Sequence, residues 1–269
     1  MTEYRFEYQT TEFSLHKAFS LARAADLAYK NPAEIKSVVH DHWGMDTVTC
    51  FDEPTLGTQG YVMSNDTAIV VAFRGTQITR PEDISTDLKF FPVDGPYAGQ
   101  VHSGFLNALN RAWPEVEQAV ASSRTRSKSL WFTGHSLGAA LATLAVAKLR
   151  DINTPVAGLY TFGQPRTGNR VFARNFNSDF GKYAFRFVNN NDVVTRIPPR
   201  ELQYSHVGNL KYFTEDGRLV DDISFWNRFL DRIHGRMEDF LEWGTDGLSD
   251  HDMPKYLALI EGVLQSATR

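Results

Sequence analysis

The chain has 269 residues, with 28 Lys plus Arg against 32 Asp plus Glu and a formal net charge of −4. Its composition, 42% hydrophobic and 22% charged, is that of a globular chain long enough to bury its own core. The charge balance argues against a general nucleic-acid binder, and the single cysteine, Cys50, excludes an intramolecular disulfide and a multi-cysteine metal site.

The first ten residues are polar and lack the apolar stretch of a signal peptide. Nor is there an apolar run of about 18 residues, as a transmembrane helix needs. The expectation is a cytoplasmic protein, or a secreted one if a leader has been removed. Helical spacing of Leu15, Ala18, Phe19, Ala22, Ala25 and Leu27 predicts a helix over 13–29, with Ser14 as its N-cap. The β-branched run over 66–74 predicts a strand buried on both faces. Residues 77–95 are polar, with Pro81, Pro92 and several acids, and include the Phe90-Phe91 pair. Helix, strand and helix are predicted over 104–122, 130–133 and 136–150, then strand, helix and strand over 156–162, 169–180 and 183–188. Residues 222–243 form an amphipathic helical pattern. Its polar face mixes Arg with Asp and Glu, which favours a packed helix over a membrane-surface one. A last helix is predicted over 254–265. Without repeats or a low-complexity linker, residues 1–269 read as a single domain. Its alternating strands and helices predict an α/β fold, with a mostly parallel central sheet covered on both faces.

Gly134-His135-Ser136-Leu137-Gly138 matches G-x-S-x-G. The pattern alone is weak, but here a short apolar strand runs into it and a helix leaves it, which is the setting of a nucleophile elbow. A serine at such a turn lifts its hydroxyl above the sheet edge. Gly134 and Gly138 then lie where strand and helix nearly touch and a Cβ would clash.

A serine nucleophile needs a histidine base, and that histidine needs a carboxylate to set its tautomer. The chain order in such folds is Ser, acid, His. Asp192 follows the 183–188 strand through Asn189-Asn190-Asn191, whereas Asp179 precedes that strand and Asp216, Asp221 and Asp222 lack a strand leading into them. Of the histidines after Asp192, His234 lies inside the amphipathic pattern, His206 at the entrance to a strand, and His251 in a loop before the last helix. Loop position favours His251 over His206. An oxyanion hole needs two donors. Leu137 N–H is one; the other comes from Gly75-Thr76 after the 66–74 strand, a pair that also fits an ordinary turn.

These motifs resemble the class 3 lipase family, the fungal-type triacylglycerol lipases and their bacterial and plant relatives, with this chain closest in type to the bacterial members. The resemblance runs over about 66–256 and has its parts in family order. Phe73-Arg74-Gly75-Thr76 comes first, then Val101-His102-Ser103-Gly104-Phe105 and the serine motif. Thr161-Phe162-Gly163-Gln164-Pro165-Arg166-Thr167-Gly168-Asn169 and the segment around Asp192 follow. Tyr204-Ser205-His206-Val207-Gly208 and Asp250-His251 with Tyr256 complete the set. The resemblance implies an α/β-hydrolase-like fold and a triad of Ser136, Asp192 and His251. It implies Thr76 and Leu137 at the oxyanion hole, with His102 and His135 in support, and it makes His206 structural.

Two departures stand out. The lone cysteine separates this chain from disulfide-bearing secreted fungal members. The short lid expected in 77–95 has Ile84 near a position where the family often has tryptophan, which argues against strong interfacial activation. With Ile84, Leu88, Phe90 and Phe91 as lid or substrate-facing residues, and a negative net charge, docking at an oil–water or membrane interface would rest on apolar contacts. The resemblance implies a carboxyl-ester hydrolase, a triacylglycerol lipase first, with a phospholipase A1 or a short-chain or feruloyl-type esterase as alternatives. A catalytically inactive binding protein on the same fold is the alternative of another class. The chemistry requires no metal or organic cofactor.

Overall fold

The computed structural model describes residues 6, 8, 10–76, 91–125, 127–221, 247 and 249–267. The expected lid residues Ile84, Leu88 and Phe90, and the expected amphipathic stretch 222–243, lie outside these residues.

An eight-stranded sheet organises the chain. Its parallel centre is β3 (Ala68–Phe73), β6 (Ser129–His135), β7 (Gly158–Phe162), β9 (Ala184–Asn189) and β11 (Asn209–Phe213), adjacent in that order. Antiparallel strands flank it: β1 (Thr47–Glu53) and β2 (Thr58–Ser64) on one side, β12 (Leu219–Val220) on the other. Every residue of β3 is buried, as its β-branched run requires. Alternate residues serve opposite faces: Ile69, Val71 and Phe73 join one core, and Ala68, Val70 and Ala72 the other.

Helices α3 (Ser103–Ser123), α4 (Leu137–Asp151) and α5 (Arg170–Phe180) cover the first face. The second is covered by α1 (Leu15–Leu27), α2 (Pro32–Ser37) and α6 (Met253–Ala267). The Ser14 hydroxyl caps α1 by accepting from Lys17 N–H at 3.3 Å. The alanines of α1 allow close approach to the sheet, where the Tyr61 hydroxyl donates to the Ala24 carbonyl and the Thr133 hydroxyl to that of Leu21.

A second, four-stranded antiparallel sheet was not expected. It joins β4 (Pro92–Asp94), β5 (Gln100–His102), β8 (Gly168–Asn169) and β10 (Tyr204–Ser205) in the order β10-β8-β5-β4. The end of the 77–95 stretch is therefore an edge strand, and Phe91 just before it is 63% exposed.

The register of the parallel strands decides where chemistry can occur. Phe73 pairs with Gly134, Gly134 with Thr161, and Phe162 with Phe187, so the strands finish at one level. The segments holding Gly75, Ser136, Gly163 and Asp192 all leave the sheet at this carboxyl edge, the usual place for a site in an open α/β sheet.

Candidate active site

Ser136 joins β6 to α4 in a backbone conformation of φ 58° and ψ −129°, which non-glycine residues avoid. Close packing enforces it. A Cβ on Gly134 would stand 2.4 Å from the Gly138 carbonyl, and one on Gly138 would stand 2.3 Å from the Phe73 carbonyl oxygen. The turn leaves the Ser136 hydroxyl buried, and it has no hydrogen-bond partner among the described residues. Leu137, half-buried, opens α4, and no side chain caps that helix end. Its free N–H groups and positive dipole end suit a developing negative charge beside Ser136.

Gly75 closes on the same point. A Cβ there would lie 2.5 Å from the His135 carbonyl oxygen and 2.8 Å from the Ser136 Cβ. Thr76, the next residue, is exposed. The two segments expected to supply oxyanion donors thus flank Ser136.

Asp192, fully buried, follows β9 through a tight turn in which Asn190 has φ 33°. Both carboxylate oxygens lie 3.0 Å from His251 Nδ1. Oδ1 also accepts from Val194 N–H at 2.9 Å, and Oδ2 from the Tyr256 hydroxyl at 2.6 Å. Burial alone would push this carboxyl up. The charge of His251 and the hydrogen bonds from His251 and Tyr256 outweigh burial and hold it below its ordinary value. The Tyr256 phenol, in turn, is raised well above its usual range by burial and by Asp192. His251 Nε2, the nitrogen turned away from Asp192, is buried with no partner among the described residues.

The Asp192 and His251 loops are tied together. Asn189 Nδ2 donates to the Asp250 carbonyl at 2.9 Å, and Asn191 N–H to the Asp250 carboxylate at 3.3 Å. Gly163 (φ 58°) leaves room for the pair, since a Cβ there would stand 2.8 Å from the His251 ring and 2.9 Å from Asp192 Oδ2.

His206 stands apart from this pair. Its ring nitrogens are buried among the charges of Arg186, Arg166 and Arg200, and Val207 beside it accepts from Arg186 Nε at 3.3 Å. His102 caps α3, its Nδ1 accepting from Phe105 N–H at 3.3 Å with its ring stacked on Phe105. His135 lies under His251, with ring centroids 4.4 Å apart. Among the described residues, no group of three or more His, Cys, Asp or Glu is arranged to hold a metal ion.

Three residues not singled out for roles from sequence belong to this site: Tyr256, Gly163 and Tyr29. Tyr256 and Gly163 stood inside motifs of the family resemblance. Tyr29, at the end of the first predicted helix, carried no local signal.

The buried histidines make a pH prediction. Burial pushes His135 down to about 3, with the nearby charge of His251 adding to the effect. It pushes His102 down to about 4 and His206 well below its usual value. In the unfolded chain each is protonated below a pH of about 6.5, while the native state keeps them neutral. The unfolded state therefore binds more protons, and stability falls as pH falls from about 6.5 toward the native values. Unfolding at pH 5 is expected to take up about three protons, against none at pH 8. Calorimetry in two buffers of different ionisation enthalpy reads this number; uptake below about one would mean these rings are charged in the native protein.

A mostly parallel sheet covered on both faces, with a buried carboxylate–imidazole pair and an elbow serine at its carboxyl edge, is the α/β-hydrolase fold. Residues 70–202 match the lipase (class 3) family, and the chain belongs to that family. It is 31% identical over 242 residues to triacylglycerol lipase OBL1 of Arabidopsis thaliana, covering 69% of this chain and 46% of that protein. It is 39% identical over 124 residues to secreted mono- and diacylglycerol lipase 1 of Fusarium solani, covering 45% and 36%. Lipase II from Rhizopus niveus superposes with a TM-score of 0.59 at 28% identity, over 73% of this chain and 80% of that one. The chain spans half or less of the length of these two curated relatives. Among the described residues, no helix is long and apolar enough to cross a membrane.

Proposed function

We propose that the chain is a carboxyl-ester hydrolase acting on lipid esters, with Ser136, His251 and Asp192 as its triad. The single observation that carries this is the buried Asp192–His251 pair, 3.0 Å apart, at the same sheet edge as the strained Ser136. The triad members come from three widely separated segments, which supports treating 1–269 as one catalytic domain.

In the first half-reaction Ser136 Oγ attacks the ester carbonyl as His251 Nε2 takes its proton. Asp192 holds Nδ1–H and stabilises the imidazolium that forms. The N–H groups of Leu137 and Thr76 receive the charge on the carbonyl oxygen. His251 then gives its proton to the leaving alkoxide, and the alcohol departs from the acyl-enzyme. Water, deprotonated by His251, attacks that acyl group, and collapse returns Ser136 and a carboxylic acid. Each half-reaction is proton-neutral and needs no other reactant.

Substrate class is inferred from the relatives, which are named as triacylglycerol and as mono- and diacylglycerol lipases. Docking at a lipid interface, the lid role of 77–95 and the contribution of the exposed Phe91 are part of the same proposal. A fluorophosphonate probe is expected to modify Ser136, located by peptide mass spectrometry, and hydrolysis is expected to favour long acyl chains presented as an emulsion. Labelling elsewhere would overturn the triad. A peak on short, dissolved esters would replace lipase with esterase.

A further inference from the structure

Tyr29 lies outside every motif around Ser136, yet its phenol reaches into the site. Its oxygen is 2.7 Å from His135 Nδ1, and a Cβ on Gly75 would stand 2.4 Å from it. The Gly75 amide faces the same oxygen. On the other side of the His135 ring, Nε2 is 2.6 Å from the backbone carbonyl of His251. A carbonyl only accepts, so His135 Nε2 must hold the proton. Neutral His135 then has a bare Nδ1, which accepts from the Tyr29 hydroxyl, and the phenol oxygen packs against the Gly75 backbone. Each donor and acceptor has one possible direction.

We propose that Tyr29 is a positioning residue that joins the oxyanion turn at Gly75-Thr76 to the base loop at His251 through His135. The chain runs from the Gly75 backbone, packed against Tyr29 Oη, through Tyr29 O–H to His135 Nδ1, and from His135 Nε2–H to the His251 carbonyl. Its ends sit on two loops that must keep a fixed distance while charge grows on the substrate oxygen and on the imidazole. The Arg74 guanidinium lies over the Tyr29 ring, 5.6 Å from its centroid, and steadies the same turn from outside. The burial that raises the Tyr29 phenol above its usual range and lowers His135 to about 3 keeps both links neutral across the working pH range. The inference rests on the hydrolase function proposed above and deepens it.

The test is Tyr29→Phe, which removes one oxygen and keeps the ring, assayed on p-nitrophenyl butyrate below its solubility limit. The expected result is a fall in kcat of about 10- to 100-fold with KM nearly unchanged. A boronic acid, whose tetrahedral adduct with Ser136 carries an anionic oxygen, should bind more weakly by the same factor. Tyr97→Phe is the structural control, because that phenol sits between the Asp179 carboxylate and the Asn175 carbonyl, away from the site. It should lower the melting temperature at least as much as Tyr29→Phe while leaving kcat unchanged. A Tyr29→Phe enzyme with kcat within twofold of the parent, or with unaltered boronate affinity, would overturn the proposal. If that variant does not fold, the imidazole nitrogen-15 spectrum of the parent decides: His135 must be neutral with its proton on Nε2, and the other tautomer or an imidazolium overturns the chain. Fluorophosphonate labelling of the parent separates the two levels. A labelled Ser136 with an unaffected Tyr29→Phe variant removes only this inference, whereas an unlabelled Ser136 removes both.

Discussion

Asp192→Asn is expected to fold normally and to lose about 10⁴-fold in kcat. The hydrogen bonds around the carboxylate explain why an isosteric change should cost so much. Oδ1 accepts from the Val194 N–H, which cannot turn, while Oδ2 accepts from the Tyr256 hydroxyl, whose oxygen already accepts from Asn189 N–H at 3.0 Å and can accept a second time once its own proton rotates away. An asparagine will therefore keep its carbonyl oxygen on Val194 and place its NH2 on the side of Tyr256 and His251. That NH2 is a donor, so His251 Nδ1 must become the acceptor and Nε2 must carry the proton. Nε2 is the nitrogen that has to be bare to receive the Ser136 proton. The variant should thus hold its backbone and its near-UV circular dichroism while its histidine sits in the wrong tautomer. Steady-state kinetics on a soluble ester check the prediction, and a rate within tenfold of the parent would mean that another acid orients His251.

Ser136→Ala is expected to lower kcat by about 10⁶-fold, because no other group forms the acyl-enzyme. A residual acceleration of about 10³- to 10⁴-fold over water should remain from the oxyanion donors and substrate binding. Stability should move the other way. The Ser136 hydroxyl is buried with no partner among the described residues. Leaving such a group unsatisfied costs about 1–3 kcal/mol, so its removal should leave the melting temperature unchanged or raise it. The backbone strain at φ 58° stays in the variant, since the packing of Gly134 and Gly138 imposes it. A lower melting temperature would show that the hydroxyl is satisfied in the free protein. Activity above about one percent of the parent would remove Ser136 from the mechanism.

The parts of the fold legible in the sequence are those whose burial is continuous. β3 is apolar along its whole length and α4 is rich in Ala and Leu, so both announce themselves. β1 does not: most of it is exposed or half-buried, as befits an edge strand, and it lacks a strong periodic signal. In the small second sheet, β8 and β10 have two residues each, too few for any period to show. Those strands exist because β5 and the turn after β7 bring them together, not because of their own preference.

The site divides along the same line. The proposed nucleophile is legible locally, since an elbow needs small residues on either side of a serine between a strand and a helix, and all of these lie within five positions. The order of serine, acid and histidine narrowed the rest. Position alone left His206 and His251 as alternatives, and it gave no hint of Tyr29, which lies 106 positions from His135. Only the tertiary structure puts His251 against Asp192, 59 positions away, and seals the pair with Tyr256. A hydrogen bond between distant segments leaves no mark on the local pattern of either one. It is decided by which sheet edge the strands end on, and by the close packing that brings their loops together.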